Sequence, residues 1–103
     1  MGAGKAKVSR AKAGAPDPSA PVLANFDGAC EPVNPGGLGT YGFVVRQENR
    51  LLVRQQGVVP EIAGTPMTGN IAECVALLLL LEWLAEHATG PARIEGDSKL
   101  IVM

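Results

Sequence analysis

The chain reads as a small α/β domain behind a non-folding tail: a three-stranded antiparallel meander, one long helix, then a fourth strand parallel to the first. Three observations lead there. Short apolar and β-branched runs at 22–28, 40–46 and 51–59 are joined by connections that suit antiparallel neighbours. A nearly unbroken apolar stretch at 71–85 has the length of a helix, and Gly90 and Pro91 stop it. A further run at 92–96 follows after a short turn, and a strand–helix–strand passage favours a parallel neighbour with a right-handed crossover.

Each segment has its reason. Residues 1–21 set Lys5, Lys7, Arg10 and Lys12 against Asp17 among Ala, Gly, Pro and Ser, and with almost nothing to bury they read as a disordered basic tail. Residues 22–103 form the domain and hold five basic against nine acidic residues, so any polyanion must be met through metal ions or the tail. A domain of roughly 80 residues buries only about 60–65% of its unfolded surface, so its stability should be marginal. The longest purely apolar run, 75–81, is far short of the roughly 20 residues that span a bilayer, and no secretory signal precedes it. Cys30 and Cys74 suit neither a zinc knuckle nor a disulfide framework, which points to a cytoplasmic protein with reduced thiols.

The first strand, 22–28, ends by presenting Asp27 before a Gly/Pro/Asn loop. Residues 47–50 have the polarity and length of a hairpin connection. Asn70 is the expected N-cap of a helix running to about His87, with Glu73 at capping-box spacing. On that helix Glu82 and Glu86 mark the solvent stripe and Glu73 looks toward the protein. Most of the helix should be buried, 77–81 and Trp83 included, with His87 set against the C-terminal dipole. Ser98 is the expected N-cap of a last helix at 99–102, a single turn that cannot hold itself together.

The chemistry-bearing pattern is Asp27, Glu73 and Asp97, three carboxylates on three elements beside a Gly-rich loop, which suggests a divalent-metal site acting on phosphate. Each also has a plain reading: Asp27 as a turn residue, Glu73 as a capping-box partner, Asp97 as a helix N-terminal charge.

Three motifs in order then carry a family resemblance. The run DGACEPVNPGG at 27–37 resembles the first-strand motif of type 1 ribonuclease H, TGNIAE at 68–73 its helix opening, and IEGDS at 94–98 its fourth-strand Asp-Ser. The resemblance spans residues 22–103 and implies metal-dependent hydrolysis of the RNA strand of RNA–DNA hybrids. It implies that Asp27, Glu73 and Asp97 hold two Mg²⁺ ions, with Mn²⁺ as a substitute, and that Gly28, Cys30, Asn34 and Asn70 meet the minor groove and its 2′-hydroxyls. Thr68 would hold a phosphate of the DNA strand, and Ser98 would support Asp97. Gly69 departs from the family, which has Asn there. The family's fourth carboxylate, further strand and closing helices are expected to be absent from this chain. The alternative is therefore a weak or inactive ribonuclease H-like fragment, self-associating through an exposed sheet edge.

Overall fold

The computed structural model describes residues 17, 19–96 and 100–102. Three long strands, β1 (Val22–Glu31), β2 (Leu38–Gln47) and β3 (Arg50–Val58), precede helix α1 (Gly69–His87), and two short strands, β4 (Ala92–Glu95) and β5 (Leu100–Val102), follow it. The sheet order is β3-β2-β1-β4-β5. β1 is antiparallel to β2 and parallel to β4, as the sequence predicts. The β2–β3 hairpin closes through Glu48 and Asn49, at φ 50° and 66°, the left-handed pair that a two-residue turn matched to strand twist requires. Among the described residues no helix is long and apolar enough to cross a membrane.

The core lies between one face of the sheet and α1. Val22, Ala24 and Phe26 of β1, Phe43 and Val45 of β2 and Ile94 of β4 meet Ala76, Leu80 and Leu84 of the helix. Strand alternation explains the choice, since residues two apart share a face. A second, smaller cluster of Cys30, Val59, Met67 and Ala72 sits under the loop that follows β1.

Four expectations need correction. α1 buries fully only Ala72, Ala76, Leu80 and Leu84, because one sheet covers one side of it; Leu77, Leu79, Leu81 and Trp83 are partly buried and Leu78 is 63% exposed. The N-cap is Thr68, not Asn70: its backbone is extended, and its Oγ1 accepts from the Ile71 N–H at 3.0 Å. β1 runs three residues beyond Gly28, so Asp27 lies within a strand rather than at its end. At the far end, Leu100–Val102 pairs antiparallel with β4 instead of starting a helix, and β5 covers the β4 edge expected to be bare. A single helical turn has no internal means of stabilisation, whereas an open strand edge offers partners at once.

The entrance to β1 is tied down. Val22 N–H donates to the Pro91 carbonyl at 2.9 Å, and the buried Gln47 donates Nε2 to the Ala20 carbonyl at 2.8 Å. Residues 1–16, the bulk of the expected tail, lie outside the described residues.

Candidate active site

Asp27 owes its setting to unequal pairing. β1 is bonded to β2 along its whole length, but its pairing with β4 stops at Asn25 opposite Glu95. Asp27 therefore stands just past the point where one flank of the strand opens. Alternation turns it to the face away from α1, where it lines a cleft of 270 Å³ with Asn25, Arg54 and Gln56. Register explains the cleft: Asp27 pairs with Gly42 and Gly42 with Gln56, so the middle of the row has no side chain.

Glu73 sits where α1 presses on β1. A Cβ on Gly28 would lie 2.3 Å from the Ala72 carbonyl carbon and the Glu73 nitrogen, so only glycine permits β1 and α1 to approach this closely. Asp27 and Glu73 thus flank one backbone contact, Asp27 exposed and Glu73 half-buried. With Thr68 as cap, Glu73 lies beyond the capping-box position and has no capping role. Neither side chain makes a hydrogen bond or ion pair among the described residues; the nearby acid Glu95, by contrast, binds Asn25 at 3.2 Å and Arg93 at 3.5 Å. Asp97 and Ser98 lie outside the described residues, and among the described ones no three metal-binding side chains cluster.

The loop after β1 is pinned to the segment leading into α1. The Cys30 thiol, buried, lies 3.1 Å from the Val33 carbonyl and 3.3 Å from that of Met67, and Gly36 N–H donates to the same Met67 carbonyl at 2.7 Å. Met67 is itself wedged against Gly39, where a Cβ would come within 2.6 Å of its sulfur. Asn34 stays exposed, its Oδ1 accepting from Gly69 N–H at 3.3 Å, and Asn70 is exposed beside it. Cys30 therefore holds the loop from beneath, while Asn34, Thr68 and Asn70 line its rim.

Sequence reasoning missed Arg54 and Gln56, which share the cleft with Asp27. Face parity across the β1–β2–β3 register was the available signal, but it needed the bulge between Val45 and Arg46 to be placed first. His87 ends α1 exposed and stacked on Trp83, with ring centroids 4.5 Å apart.

No protein-family model matches the chain. Among solved structures it is similar to ribonuclease H1 from the halophilic archaeon Halobacterium salinarum NRC-1, at 29% identity and TM-score 0.62, covering 77% of this chain and 55% of that one. It is also similar to the N-terminal ribonuclease H domain of rv2228c from Mycobacterium tuberculosis, at 26% identity and TM-score 0.63, covering 79% and 55%. The fold is shared with LC11-RNase H1 from compost, crystallised in complex with an RNA/DNA hybrid, at 23% identity and TM-score 0.61, covering 76% and 55%. The chain has a type 1 ribonuclease H-like fold and spans about half the length of these neighbours.

Proposed function

We propose that the chain is a metal-dependent ribonuclease H domain that hydrolyses the RNA strand of RNA–DNA hybrids. The observation that supports this reading is the Gly28–Ala72 contact, which joins the backbones beside Asp27 and Glu73, two carboxylates without a partner among the described residues. Asp27 and Glu73 are hard oxygen donors not committed elsewhere among the described residues, a set that fits Mg²⁺ because that ion takes few carboxylates and keeps several waters. With Asp97 they would hold the metal, two ions when substrate is present. The bound metal would supply an activated water and neutralise charge on the leaving oxygen.

The remaining chemistry is positioning. Thr68 Oγ1 accepts from Ile71 N–H, which leaves its own O–H free to donate to a phosphate oxygen. Asn34 and Asn70 offer amide groups to minor-groove acceptors and to the 2′-hydroxyls that distinguish the RNA strand. A second reading is hybrid binding with little turnover.

A cleavage assay decides. Cutting should require Mg²⁺ or Mn²⁺, act on hybrid while sparing duplex DNA and single-stranded RNA, and disappear in Asp27→Asn. Because Asp27 is exposed, that substitution should move stability by no more than about 0.5 kcal/mol. Equal cutting of all three nucleic acids, or full activity in Asp27→Asn, would refute the first reading. Binding without cutting would select the second.

A further inference from the structure

We infer that Gly69 is a positioning residue for hybrid recognition, acting through Asn34. The inference rests on the hybrid-directed reading above and concerns the one place where the helix-opening motif departs from its family. Asn34 Oδ1 accepts from the Gly69 N–H at 3.3 Å, and a Cβ on residue 69 would come within 3.2 Å of Asn34 Nδ2. That spacing is tighter than ordinary contact, so a Cβ at 69 requires the Asn34 amide to give way by a few tenths of an ångström. Asn34 is exposed and can swing away freely, at the cost of its orientation.

Other bonds of the loop fix its backbone but not this amide. Cys30 holds Val33 and Met67, and Gly36 holds Met67. With Oδ1 engaged by Gly69, Nδ2 is the end left to donate, and it is held in a fixed direction. Minor-groove base edges and 2′-hydroxyls are acceptors. An oriented donor reads them at lower entropic cost than a freely rotating one. The missing side chain at 69 is thus a specificity device: Gly69 gives up an amide of its own and locks the one at Asn34.

The test measures affinity for a labelled RNA–DNA hybrid and for DNA duplex of the same sequence, by fluorescence anisotropy in chelator at low salt, alongside thermal melting. Gly69→Ala and Asn34→Ala should each lower the preference for hybrid roughly threefold to tenfold, the loss of one oriented hydrogen bond. Gly69→Ala should melt no lower than the parent, since alanine is the better helix residue. The double variant should lose no more than Asn34→Ala alone, because Gly69 acts only through that amide. A parent that prefers hybrid and a Gly69→Ala variant that keeps the preference would overturn the inference alone, as would additive losses in the double variant. A parent that binds both duplexes equally would overturn the hybrid reading and this inference with it.

Discussion

The two halves of β1 are built by the same alternation and serve opposite ends. In residues 22–25 the strand is paired on both sides, with β2 and with β4, and its inward side chains join the main core under α1. In residues 27–31 its only pairing among the described residues is with β2, and its inward positions are Gly28, pressed on the helix backbone, and Cys30, holding a loop. The first half supplies stability. The second exchanges a strand neighbour and bulky side chains for an open flank where a carboxylate can be presented. The same strand thus joins a core and a site, and a mutation should reveal which half it falls in.

The largest effect is expected in the first half. Leu80 is fully buried against it, and Leu80→Ala should cost about 2–5 kcal/mol, a large fraction of the roughly 5–15 kcal/mol total stability of a typical domain. Urea unfolding measures this, and a shift below about 1 kcal/mol would mean that the α1–sheet core is not the stabilising one.

Gly28→Ala comes next and blurs the division. Its Cβ would meet helix backbone, which cannot step aside as a side chain can, so a loss of about 1–3 kcal/mol is expected. The same displacement moves Glu73 away from Asp27. Mg²⁺ at millimolar concentration should therefore raise the parent's melting temperature and leave the variant's unmoved. A variant that melts normally and still responds to Mg²⁺ would show that α1 does not press on Gly28 in solution.

A smaller loss tests the entrance to β1. Gln47→Ala removes the donor to the Ala20 carbonyl and should cost about 0.5–1.5 kcal/mol. Removing residues 1–21 takes away the acceptor instead and should cost a similar amount, although composition alone suggests that this segment is dispensable. An unchanged melting curve for both would show the bond to be incidental.

The smallest effect is a titration. The Ser19 backbone N–H, then its hydroxyl, hold the Asp17 carboxyl below its ordinary value of 3.8. A lowered folded-state pKa means that any stabilisation is present above the unfolded value and is lost as pH falls through the lowered one. The group is fully exposed, so the global effect should be negligible. The Ser19 amide resonance should titrate with a midpoint below 3.8, and a midpoint at or above it would mean that the turn does not form in solution.

Much of this was legible beforehand. The meander, the long helix and the parallel fourth strand follow from run lengths, the 47–50 turn and the Gly90-Pro91 stop, because these signals are local and agree with one another. The small residue at position 28 was visible too, but not its purpose, since the helix backbone it faces is distant in sequence. The N-cap was misplaced because Thr68 and Asn70 are both good caps and only the path of the chain from Met67 chooses between them.

By itself the sequence determined which residue types stand where: three carboxylates on three elements, a Gly/Pro loop and a helix apolar nearly all round. Local chemistry suffices for that, because propensity, turn formation and capping act over a few residues. Only the tertiary structure decided which sides are used. It buried one side of α1 and left Leu78 in water, turned Asp27 away from the helix, stopped β4 short of it, and drew Leu100–Val102 into the sheet instead of a helix. These outcomes depend on which surfaces are available to be covered, and packing across the whole sheet settles that.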